Sequence, residues 1–109
     1  MATAFLNKVV KEVGEVPIIA LETDAGTRST IVGMTFTNLT DFIIYVSVLV
    51  NSNDSASGYY MKDVMIPPNS KFSALSPAEK LILSPNNTLL FQAEQDEAFD
   101  AVISYVDIV

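Results

Sequence analysis

Turn-forming clusters cut most of this chain into short runs at intervals of about 8–12 residues. They are Thr23-Asp24-Ala25-Gly26-Thr27, Asn38-Leu39-Thr40-Asp41, the polar loop Asn51–Gly58, Pro67-Pro68-Asn69-Ser70, Ser76-Pro77-Ala78-Glu79, Ser84-Pro85-Asn86-Asn87 and the acidic connection Glu94–Asp100. The runs between them are rich in Val, Ile, Thr, Phe and Tyr. Expected strands are Val16–Glu22, Arg28–Thr37, Phe42–Val50, Tyr59–Ile66, Lys71–Leu75, Lys80–Leu83, Thr88–Ala93 and Ala101–Val109. This cadence predicts an all-β chain: an antiparallel β-sandwich, Ig-like or jelly-roll-like, of about eight strands.

Local residues refine the expectation. Pro17 confines the first strand to an edge or a strand start, because it cannot donate to a ladder. Gly33, within a strand, marks a bulge or a close backbone approach. The short connection at Asn38–Asp41 predicts that Arg28–Thr37 and Phe42–Val50 pair as an antiparallel hairpin. In the pair Tyr59-Tyr60, adjacent strand residues face opposite ways, so one is core and the other surface.

Residues 1–14 read differently. Phe5, Val9 and Val13 recur every four residues, with Leu6 and Val10 beside them, which is helical spacing. Gly14 would end such a helix. The alternative is an extended arm docked on a neighbour. The expected division is an N-terminal arm or short helix at 1–14 and a sandwich domain at 15–109. A chain of 109 residues is one domain. It buries only about two-thirds of its unfolded surface, so neighbouring subunits are a ready source of further burial.

Composition excludes several chemistries. The chain has 13 acids against 6 bases, a net charge of −7. The bases Lys8, Lys11, Arg28, Lys62, Lys71 and Lys80 are scattered, so no basic stripe exists to track phosphates or an anionic membrane. There is no Cys, no His and no Trp. Disulfides, thiolate chemistry and Ser-His or Cys-His nucleophiles are therefore excluded. The four glycines stand alone, and no phosphate-cradling loop is visible. The acidic stretch Glu94–Asp100 lacks the Gly of a calcium loop, and Asn51–Ser55 has one formal charge. No catalytic residue, cofactor or metal site is expected. The opening MATAFLNKVVKEVGE is broken by Asn7 and Lys8 and lacks the apolar core of a signal peptide. The longest strand-type run, FIIYVSVLV, is far short of the ~20 residues of a membrane helix. A soluble chain is expected. The triplets starting at Asn38, Asn53 and Asn86 match a glycosylation acceptor and read as turn chemistry.

FIIYVSVLV also poses a packing problem. Phe42, Ile44, Val46, Val48 and Val50 share one face. Ile43, Tyr45, Ser47 and Leu49 share the other, and only Ser47 is clearly polar. The last strand repeats this, with Ala101, Ile103 and Tyr105 opposing Val102, Val106 and Ile108. Two doubly apolar strands should be central in their sheets, and their second faces need cover. The candidate partner-binding residues are Phe5, Leu6, Val9, Val13, Ile43, Tyr45, Leu49, Tyr59 and Tyr60.

Three segments carry a resemblance: Thr30–Thr40, Val64–Ser70, and Lys80–Leu83 continuing through Phe91 to Asp100–Tyr105. They resemble small virion structural proteins of tailed bacteriophages, over about residues 16–109. Pro68-Asn69 departs from that pattern, where a Gly is usual. The resemblance implies a non-enzymatic sandwich subunit at the phage tail or neck, assembled in the host cytoplasm into the virion. Its partners would be copies of itself, as a homo-oligomer, and other virion proteins, with no direct nucleic-acid or membrane contact. A capsid decoration protein is the alternative role within that class. A monomeric carbohydrate- or receptor-binding module is the alternative outside it.

Overall fold

A computed structural model describes residues 3–52, 56–75 and 79–109. Nine strands run in chain order: β1 (Thr3–Val13), β2 (Ile18–Glu22), β3 (Arg28–Asn38), β4 (Ile44–Asn51), β5 (Ser57–Ile66), β6 (Lys71–Ser73), β7 (Leu81–Leu83), β8 (Thr88–Ala93) and β9 (Phe99–Ile108). No helix occurs among the described residues. The first sheet has the order β1-β9-β3, and β6 and β7 share the far edge of β3. The second has the order β2-β8-β4-β5. All pairs are antiparallel. The architecture is the expected β-sandwich.

The N-terminal segment is a strand, β1, and not a helix. Thr3–Val10 pair in register with Ile108–Ala101 of β9. A four-residue repeat also falls on one face of a strand, so Phe5 and Val9 fit either period. Val10 faces inward by alternation, a register shift between Val10 and Val13 brings Val13 inward too, and both are buried.

The hairpin expected between β3 and β4 does not form, because the two strands lie in different sheets. Residues 39–43 carry the chain across the end of the sandwich. Asn38, itself buried, fixes that crossing. Its Nδ2 donates to the carbonyls of Phe42 at 2.8 Å, Ile66 at 3.1 Å and Pro67 at 2.9 Å. Its Oδ1 accepts from the Thr40 amide and hydroxyl, both at 2.8 Å. One side chain thus ties the end of β3 to the end of β5 across the core. Phe42 supplies a carbonyl here while its ring stays exposed, so it does not share the core face with Ile44. The opposite end is closed by Thr23, also buried, whose Oγ1 donates to the Ser84 carbonyl at 2.6 Å and accepts from the Asn87 amide at 2.9 Å.

Between these two ends sits the core. Phe36 and Phe99 of the first sheet meet Phe91 of the second, with ring centroids 5.0 Å apart for Phe36–Phe91 and 4.9 Å for Phe36–Phe99. Tilted and edge-on pairs of this kind add about 0.5–1.5 kcal/mol each beyond their burial. Ile31, Ile44, Val46, Ile66, Leu83, Leu89 and Ile103 fill the rest.

Other local expectations are met. β2 begins after Pro17 and is an edge strand. A register shift at Ile31/Gly33 makes the bulge that Gly33 signalled. At the departure from the glycine pattern, Asn69 takes a left-handed φ of 52°, a conformation Asn tolerates better than most residues. The strands β4 and β9 are each flanked on both sides. The turn expected at Ser76–Glu79 and the Asn53 acceptor triplet lie, for the most part, outside the described residues.

Two outcomes follow. Asn38→Ala should destabilise the fold by about 2–4 kcal/mol, because it strips donors from several carbonyls at the closed end. That lowers the thermal midpoint by on the order of 10–20 °C, read by circular dichroism. Removal of residues 1–14 should cost stability as well as any association. Val10 and Val13 each contribute about 1.5–3 kcal/mol by burial, and an unchanged melting curve would refute their place in the core.

Candidate assembly surface

With both ends closed by buried polar groups, the surplus apolar side chains fall on the outer faces and the β1 edge. On the outer face of the second sheet, Ile19, Leu90, Leu49 and Tyr59 lie opposite one another in sequence across all four strands. Ile19 and Tyr59 are exposed, and Leu49 and Leu90 are half-buried. Tyr45 pairs with Met65 on the same face, and both are exposed.

Ser47, the one polar residue of the opening run, has a structural task. β5 bulges where Asp63 adopts a left-handed φ of 50°, which removes its amide from the ladder. The Ser47 hydroxyl accepts that amide at 3.0 Å. The bulge leaves a shallow hollow of about 340 Å³ between Tyr45, Tyr59, Lys62, Asp63, Gln92 and Glu94. Lys62 lies over the Tyr59 ring, 5.3 Å from its centroid, so that aromatic face already has a cation.

The first sheet also presents apolar surface. Phe5 is 82% exposed and Val9 59%. Val102 is exposed beside Val9, and Val32 and Ile82 are exposed farther across the sheet. Leu6 is exposed on the other side of β1, where that edge strand outruns its cover.

Of the nine residues expected to bind partners, Phe5, Leu6, Val9, Ile43, Tyr45 and Tyr59 present exposed side chains. Leu49 is half-buried in the apolar row. Val13 is fully buried and offers no surface. Tyr60 is the inward member of the tyrosine pair: it packs against the core, and its hydroxyl donates to the Glu79 carboxylate. The nine do not form one patch, since β1 and β4 belong to different sheets. Ile19, Met65, Leu90, Val32 and Ile82 complete the outer faces and escaped sequence reading. Strand parity marks each of them as outward, but only the pairing shows which outward residues adjoin. Among the described residues, no group of three or more His, Cys, Asp or Glu side chains could hold a metal ion. The Asn51–Ser55 cation candidate extends outside the described residues. Asn38 of the acceptor triplet at 38–40 is buried with its amide engaged, as turn chemistry requires.

No protein-family model and no curated protein matches this chain. Among solved structures, it is similar to a chain described as "Bacillus endospore appendages form a novel family of disulfide-linked pili". The two share 7% identity at a TM-score of 0.56, over 96% of this chain and 85% of that one. At this identity the likeness concerns the fold.

Burial, then the neighbouring Glu79, push the Tyr60 hydroxyl up to about 12. The unfolded chain would ionise it near the ordinary value of about 10. The neutral phenol therefore favours the folded state below pH ~10, and this contribution is lost as pH rises from there toward 12. Burial, then the neighbouring Asp107, also push the Tyr105 hydroxyl up. Absorbance titration should therefore show two late tyrosinates, of which Tyr60→Phe removes one. If the variant keeps both, the assignment to Tyr60 is wrong.

Proposed function

We propose that this chain is a non-enzymatic structural subunit that works as an assembly of copies. The observation that carries the reading is β1: a strand with Phe5 82% exposed and Val9 59% exposed on one side and Leu6 exposed on the other. Surface of this kind, joined to further apolar residues on both sheets, marks protein–protein contact. The outer hollow is shallow, and the chain has no His or Cys to run nucleophile chemistry. The sequence resemblance to small tailed-phage virion proteins supports a place in the tail or neck, with capsid decoration as the alternative within the same role. The fold's likeness to a chain described as forming pili also supports a self-assembling part. That description includes disulfide links. This chain has no Cys, so its copies would be held without disulfides.

Light scattering on the purified full chain tests the reading. The expected mass is an integral multiple of one chain and grows with concentration. A single-chain mass up to millimolar protein would overturn it. A binding module that acts alone, by contrast, predicts one chain at every concentration.

A further inference from the structure

The assembly reading leaves open which surface joins the copies. On the outer face of the first sheet, strand pairing sets three adjacent cross-strand rows. The first is Phe5, Val106, Thr30 and Ile82. The second is Asn7, Ser104 and Gly33. The third is Val9, Val102, Thr35 and Ser73. None of these residues ionises. Charge returns around them, with Arg28 beyond the first row, Asp100, Lys71 and Lys11 beyond the third, and Lys80 just before β7.

That distribution matters in a chain of net charge −7. Two copies repel one another in most orientations, and the repulsion is strongest where acids cluster. Glu12, Glu15, Asp96 and Glu97 surround a depression at the closed end held by Asn38, and Glu15, Asp63 and Glu94 ring the hollow on the second sheet. The three uncharged rows offer contact with no acid to desolvate. We propose that this face packs against the same face of a second copy. The inference rests on the assembly reading and specifies its contact.

Two observations favour a copy of this chain as the occupant. First, an uncharged face suits a partner with the same face, whereas a basic partner would seek the acidic regions. Second, the area reaches what a specific contact needs. The rows span about 20 Å along the strands and about 19 Å across four of them. With side-chain relief, two copies bury on the order of 1,000 Å², the threshold for a specific interface.

Strand addition at the open edge of β1 is the competing contact. Lys8 stands against it. It shares the inward parity of Val10 and lies opposite buried Ile103, yet is itself exposed at the edge. An inward-pointing charge on an edge strand is a known block to edge pairing.

Sedimentation velocity on the full chain decides the matter, with three variants at exposed sites. Val102→Lys and Ile82→Lys place charge on the face from two different strands. Ile19→Lys does the same on the second sheet. Each is first checked by its melting curve, and the two face variants guard against the loss of either to misfolding. The expected result is association of the unmodified chain, weakened at least tenfold by Val102→Lys and by Ile82→Lys and unaffected by Ile19→Lys. Added salt should strengthen association, because it screens repulsion between acidic copies and the contact itself is uncharged. If the unmodified chain associates but only Ile19→Lys weakens it, or if salt dissociates it, the face assignment falls while the assembly reading stands. If the unmodified chain never associates, the assembly reading falls and the face assignment with it.

Discussion

The sandwich depends on the crossing at Asn38. A chain that leaves one sheet for another must expose the carbonyls at both strand ends unless something satisfies them. At Asn38 a single amide meets the Phe42, Ile66 and Pro67 carbonyls, while its oxygen holds Thr40. The backbone adds to the closure, since the Asn38 amide reaches the Ser70 carbonyl and the Leu39 amide reaches that of Ala98. With the far end held by Thr23, the two sheets are locked at both ends over the Phe36–Phe91–Phe99 contact. No apolar residue of the outer faces can then turn inward. The surplus seen in the sequence then lies on the surface, and the proposed assembly role rests on it.

The strands were legible because β-branched and aromatic runs between turn residues need little context. Thr88–Ala93 shows this, with the same limits in sequence and structure. Partners were less legible. A four-residue connection between two strand-like runs favours a hairpin on local grounds, and nothing in the spacing reveals that Asn38 will take carbonyls from two separate segments. Hydrogen-bond partners 28 and 29 residues away are not encoded in local pattern. The N-terminal strand was obscured for another reason. Its bulge between Val10 and Val13 breaks the alternation that would have announced a strand, and it leaves a spacing that a helix also satisfies.

The candidate surface was legible by half. The doubly apolar character of β4 and β9 correctly marked central strands. Burial then sorted their second faces unevenly. In β4, Ser47 is absorbed by the Asp63 bulge, and Leu49 is partly covered by its neighbours. In β9, Val102 remains open and Val106 half-open beside Phe5 and Val9 of β1. The first sheet therefore carries three adjacent uncharged rows. Only the register sets Thr30, Val106 and Phe5 in line, and a list of apolar residues does not contain that register.

Burial and repulsion act together on such a molecule. Apolar contact is non-directional, so by itself it would let copies meet in many orientations. The net charge of −7 makes most of those orientations unfavourable. The acids that surround the Asn38 end and the second-sheet hollow restrict contact to what lies between the charged margins. Lys8 narrows it further by blunting the open edge. A chain without cysteine has no disulfide to fall back on, so in the proposed contact orientation rests on charge and affinity on burial.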